Sequence, residues 1–99
     1  MLNIGKKIEN GKATFAPEGR LDTVTAPEFE KEIKESIDGL TELILDFEKL
    51  EYISSAGLRV LLSAQKTMSK QGTMKVVNVG EMIGEIFEVT GFSDILTIE

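Results

Sequence analysis

The chain has no cysteine and no histidine. Without cysteine it has neither a disulfide nor a thiolate metal site, which fits a reducing compartment. Without histidine it lacks the commonest acid/base group of neutral pH and the commonest nitrogen ligand for metals. No apolar run reaches the length of a membrane span or of a signal-peptide core. Cations are in the minority, with 11 Lys and Arg against 17 Asp and Glu, a net charge of −6. A nucleic-acid surface needs clustered Lys and Arg, so no nucleic-acid partner is expected. The acidity is read as solubility. Together these absences point to a soluble, cytoplasmic protein with no metal site and no membrane contact. What is present is an ordinary globular balance, 41% hydrophobic and 28% charged. Residues 1–99 read as one domain, large enough for a single core without staples.

Punctuation along the chain divides it into short elements. Leu2 to Ile8 reads as a strand, and Asn10-Gly11 is a hairpin-turn dipeptide. Lys12 to Ala16 returns with Ala13 and Phe15 on one face, and Pro17 is expected at the strand's end. Gly19 and Asp22 mark a loop. Thr25 is the predicted N-cap of a first helix, with Pro27 in its first turn and Glu28 at the capping-box position. Phe29, Ile33 and Ile37 form its apolar stripe, and Gly39 is read as a left-handed cap.

Leu43 to Phe47 is the best central strand. Leu58, Leu61, Leu62 and Met68 then recur at helical spacing up to about Lys70, with Gly72 as cap. Met74 to Val79 is a further strand, Val-rich as buried parallel strands are. Ile83, Ile86 and Phe87 line a third helix that Gly91 ends, and Ile95 to Ile98 reads as a last strand. An opening hairpin followed by strand–helix alternation predicts an α/β domain. It should hold a mixed sheet of about five strands with helices mainly on one face. The unit from Leu43 to Val79 should be a right-handed crossover.

Ser54 and Ser55 lie where a strand hands over to the central helix. Serine suits an N-cap because its oxygen accepts from an unpaired first-turn N–H. The same open N–H groups and the positive dipole end suit an anion, so a serine here is a good site for a phosphate. A hydrolase elbow is G-x-S-x-G, and no glycine lies two residues before either serine. With no histidine, only Lys or a carboxylate could activate the hydroxyl. Asp46 invites comparison with metal-assisted phospho-accepting aspartates, but Asp22 is its only evident loop partner. No catalytic residue, metal ligand or cofactor is therefore expected.

Tyr52-Ile53-Ser54-Ser55-Ala56-Gly57-Leu58-Arg59 resembles the phosphorylation segment of the STAS domain family, the anti-sigma factor antagonists. Glu18-Gly19-Arg20-Leu21-Asp22 is similar to that family's G-x-L-D stretch, and Thr90-Gly91-Phe92 to its motif after the third helix. The resemblance implies a STAS-like fold over the whole chain. It implies a non-enzymatic regulator that binds an anti-sigma factor serine kinase, frees a sigma factor for transcription, and is switched off by phosphorylation. A serine phosphatase would reverse the switch. The alternative it leaves open is an accessory subunit of a membrane lipid or anion transporter.

By the same resemblance Ser55 matches the acceptor, because a small residue, Gly and Leu follow it in order. Ser54 stands where many members have Asp, and Ala56 where others have a second serine. Asp22 matches a residue near the acceptor. Gly57 allows either close packing of helix on strand or close approach of a partner's backbone. Arg59 points away from the apolar face and could meet an acidic partner or the phosphate. Asp22, Ser54, Ala56, Gly57 and Arg59 are thus the expected partner-binding residues around Ser55.

Overall fold

The computed structural model describes residues 2–99. Strands β1 (Asn3–Glu9) and β2 (Lys12–Leu21) form the predicted hairpin. Asn10 and Gly11 take φ of 51° and 79°, the left-handed pair that a tight primed turn requires. β2 alternates as read, with Ala13 and Phe15 fully buried, but it runs on to Leu21 instead of stopping at Ala16. Pro17 lies inside it. The next strand over, β3 (Glu42–Asp46), pairs with Lys12–Phe15, and β4 (Leu50–Ile53) pairs with Gly19–Leu21. Pro17 falls in the gap between these ladders, where its missing N–H interrupts neither. Gly19, read as a loop residue, is instead in β2 at a register shift, with φ of +99°. It is a bulge position that suits glycine.

The sheet runs β1-β2-β3-β5, with β4 alongside β2 and β5 spanning Thr73–Val77. β1 is antiparallel to β2, and the remaining pairs are parallel. This is the mixed five-stranded α/β sheet that was expected, but with one strand exchanged. Ile95–Ile98 contributes only a single bridge, Ile98 to Val76. β4 takes its place, and it is β4, not Leu43–Phe47, that leads into the serines. Its four residues bury only Leu50 and Ile53, too little alternation to stand out. β5 stops at Val77 because Asn78 turns left-handed, φ 56°, and donates its side-chain amide to Asp46.

Among the described residues, three α-helices complete the fold, α1 (Ala26–Ser36), α2 (Ser55–Gln71) and α3 (Glu81–Thr90), with a 3-10 turn at Phe92–Asp94. α1 buries Phe29 and Ile33, and Ile37 just past its end is buried too, with the Phe29 ring edge-on to Phe15 at 6.4 Å. α2 buries Leu58, Val60, Leu61, Ala64 and Met68. Leu62 is only half-buried, because it lies past the Leu58 edge of an arc centred near Leu61. α3 buries Ile83 and Phe87, and Phe87 meets Phe47 at 6.4 Å. The sheet face opposite Phe15 keeps half-exposed Thr14, Ala16 and Ile44, with Glu42 paired to Lys12 and Lys75.

The helix ends show where local rules gave way. α1 stops at Ser36 with Ile37 as its cap, and left-handed Gly39 follows two residues on. Gly72 caps α2 as predicted, its N–H donating to Met68. A Cβ at Gly72 would collide with the Thr41 carbonyl. Gly91 is left-handed at the end of α3, as read.

Candidate functional site

β2 and β4 are parallel, so their C-terminal ends, and the loops that leave them, lie together. Leu21 pairs with Ile53, and the Leu21 carbonyl accepts from the Ser54 N–H at 2.8 Å. Asp22 and Ser55 thus begin neighbouring segments, one entering α1 and the other entering α2.

The two serines have different environments. Ser54 is the N-cap of α2, with extended backbone, φ −98° and ψ 176°. Its Oγ accepts from the Gly57 N–H at 3.4 Å and its carbonyl accepts from the Leu58 N–H at 2.9 Å. Ser55 is the first helical residue, is exposed, and takes no part in the cap. Its hydroxyl stands beside the first-turn N–H groups and the positive end of a 17-residue helix.

The other predicted site residues divide between the surface and the interior. Arg59 is exposed like Ser55 and Ala56 is half-buried; Ala56 and Arg59, without Ser55, share a groove with Thr23, Ala26 and Pro27. Gly57 is buried and faces inward. A Cβ there would lie 2.8 Å from Ile53 Cγ1, 2.9 Å from Leu21 Cγ and 3.1 Å from the Leu21 carbonyl oxygen. Of its two readings the structure supports close packing, which seats the start of α2 directly on β2 and β4.

Asp22 is engaged locally. Its Oδ1 accepts from the Val24 N–H at 3.0 Å and the Thr25 N–H at 3.1 Å. The backbone bond from Thr25 is the main cause holding its carboxyl below the ordinary carboxylate range, with help from Val24 and from Arg20 at 3.8 Å. Thr25 makes no side-chain cap to α1, so the predicted capping box with Glu28 does not form. Its hydroxyl instead donates to the Arg20 carbonyl at 2.7 Å and accepts from the Asp22 N–H at 2.9 Å. Those bonds let Thr25 be buried, the one buried polar or charged residue among the described residues.

Sequence reasoning missed two features here. The Arg20 guanidinium stacks over the Tyr52 ring at 4.2 Å, a cation–π contact across the β2–β4 pair. Val24, at the tip of the Asp22–Thr25 turn, is 84% exposed. Among the described residues, no cluster of three or more acidic groups could hold a metal ion. Nor, among them, is any helix long and apolar enough to cross a membrane.

The STAS domain model matches residues 3–99, and the chain belongs to that family. BtrV of Bordetella bronchiseptica, provisionally named an anti-sigma factor antagonist, is 34% identical over 82% of this chain and 72% of its own length. The anti-sigma-B factor antagonist of Staphylococcus aureus is 28% identical over 81% of this chain and 76% of its own. Among solved structures, an anti-sigma factor antagonist from Mycobacterium paratuberculosis superposes with a TM-score of 0.89 at 23% identity. It covers 99% of this chain and 85% of that one. SpoIIAA of Bacillus, in its phosphorylated form, superposes at 0.75 with 17% identity, covering 100% and 91%. These two likenesses establish the shared fold.

Proposed function

We propose that the chain is a non-enzymatic anti-sigma factor antagonist acting in the cytoplasm, switched at Ser55. In its unmodified form it binds an anti-sigma factor serine kinase through the surface formed by Ser55, Ala56 and Arg59 with the loop after Asp22. That frees a sigma factor for transcription. The kinase phosphorylates Ser55 and the complex releases; a serine phosphatase resets the protein. The observation that carries this reading is the division of labour between the serines. Ser54 spends its oxygen on the helix cap, while Ser55 holds an exposed hydroxyl on the first turn. The relatives named as antagonists, and a neighbour whose structure is of a phosphorylated form, support it.

The helix N-terminus suits both states of the switch. A phosphate adds about −1.5 to −2 charges at neutral pH. First-turn N–H groups and the helix dipole tolerate that charge, so folding stability should change by only about 0.3–1 kcal/mol, in the favourable direction. The cost falls on the complex, where the dianion must lose water against a surface shaped for a hydroxyl. A regulatory coupling of roughly 1–3 kcal/mol weakens binding about 5- to 150-fold. The test is calorimetric titration of the kinase with the parent, Ser55→Ala and Ser55→Asp. Ser55→Ala should bind like the parent and Ser55→Asp should bind poorly, with circular dichroism unchanged in both. Parent-like binding by Ser55→Asp refutes the switch.

A further inference from the structure

The tip of the β2–α1 loop, Val24, is an apolar side chain held in water, on the loop next to the segment that carries Ser55. A single exposed valine is unremarkable on any protein surface. What sets this one apart is how firmly the surrounding turn is fixed. Asp22 Oδ1 takes the N–H groups of Val24 and Thr25. The Thr25 hydroxyl, buried, clamps the Asp22 N–H and the Arg20 carbonyl. The Asp22 carbonyl accepts from the Ala26 N–H at 2.8 Å. The N–H groups of Asp22, Val24, Thr25 and Ala26 are therefore bonded back into the protein, and the apolar side chain that the turn leaves facing outward is Val24. The turn is also next to the serine segment: Thr23 shares a groove with Ala56 and Arg59, and Leu21 bonds Ser54.

We infer that Val24 is an anchor residue for the same kinase that acts on Ser55, and that Asp22 is a positioning residue that presents it. This rests on the reading of the Ser55 surface as the partner surface. A short β-branched side chain on a fixed turn loses little freedom on binding, so its burial goes mostly into affinity. It also gives the partner a way to recognise this chain that does not depend on the phosphorylatable hydroxyl. Asp22, by contrast, acts through the shape of the loop. Its Oδ1 is committed to backbone N–H groups.

The two roles separate cleanly by mutation. Val24→Ser removes the apolar contact but keeps the turn, since only the Val24 backbone is bonded. With the kinase that modifies the parent at Ser55, Val24→Ser should bind at least about 10-fold more weakly, with an unchanged melting temperature. Asp22→Asn keeps a side-chain oxygen that accepts the same N–H groups, so it should bind within about 2-fold of the parent. Asp22→Ala loses the acceptor and should lose affinity as Val24→Ser does. In the double variant Asp22→Ala/Val24→Ser the losses should be less than additive, because both act through one side chain. If Val24→Ser binds like the parent while Ser55→Asp does not, the anchor is refuted and the switch stands. If Asp22→Asn loses as much as Asp22→Ala, the carboxylate's charge is what the partner reads, and the positioning role is refuted. If the kinase leaves the parent's Ser55 unmodified, the underlying reading falls, and this one with it.

Discussion

Replacing Gly57 by alanine tests how closely α2 is seated on the strand ends. In an ordinary helix interior the change would stabilise by about 0.5–1 kcal/mol, because alanine has less backbone freedom to lose. Here the new methyl meets Ile53 Cγ1 at 2.8 Å, Leu21 Cγ at 2.9 Å and the Leu21 carbonyl oxygen at 3.1 Å. Carbon atoms pack best at roughly 3.5–4.0 Å, so the helix start must retreat by several tenths of an ångström. The two side chains can rotate aside, but the carbonyl cannot. It is held in the β2–β4 ladder and accepts from Ser54 at 2.8 Å. Overpacking of this kind costs about 1–3 kcal/mol, and the immovable oxygen puts the cost in the upper half of that range. Net of the helix gain, Gly57→Ala should lose about 1–2.5 kcal/mol, or roughly 4–20 °C of Tm for a domain of this size. Thermal unfolding followed by circular dichroism reads it directly. Gly84→Ala is the control, since its Cβ would meet only Val79 Cγ1, at an ordinary 3.7 Å. It should gain the full 0.5–1 kcal/mol. A Tm for Gly57→Ala at or above the parent's would refute the argument.

Three further outcomes follow from the same geometry. Ser54→Ala should lose about 0.5–1 kcal/mol in urea unfolding, the low end for a cap because the bond to Gly57 is long at 3.4 Å. It should still be modified at Ser55. Phe87→Ala should lose about 3–5 kcal/mol, since the ring is fully buried against Phe47 and holds α3 to the sheet. Asp22 adds a pH dependence. Its folded-state pKa lies below the unfolded value, so the stability it contributes is complete above the unfolded carboxylate range and lost as pH falls through the folded value. Asp22→Asn should therefore lower the neutral plateau toward the parent's acid value and flatten the acid limb, measured as Tm against pH.

Sequence signals that act over a few residues were legible. Asn10-Gly11, the Phe29/Ile33/Ile37 stripe and a serine cap at Ser54 or Ser55, which the structure gives to Ser54, each rest on local periodicity or on a side chain bonding its own backbone. Signals that need a distant neighbour were not. Pro17 looked like a strand end because nothing local reveals that the strand beside β2 changes at that point. β4 offers four residues and only two buried positions, so it read as the approach to the serines and not as a strand. Ile95–Ile98 had the composition of a strand but finds only one bridging partner, Val76. At the site, Thr25 is the N-cap residue of α1 by position, as expected, but its side chain makes no cap bond. Its hydroxyl is drawn instead to Arg20 and Asp22, which the β2 bulge brings within reach. The exposure of Val24 and the stacking of Arg20 on Tyr52 depend on tertiary placement that the sequence alone does not carry.

The central claim is that Ser55, and not Ser54, carries the switch. The direct measurement is phosphosite mapping by mass spectrometry of kinase-treated parent, Ser54→Ala and Ser55→Ala proteins. Parent and Ser54→Ala should each carry a single phosphate on Ser55, and Ser55→Ala should carry none. Phosphate on Ser54, in the parent or in Ser55→Ala, would contradict the account.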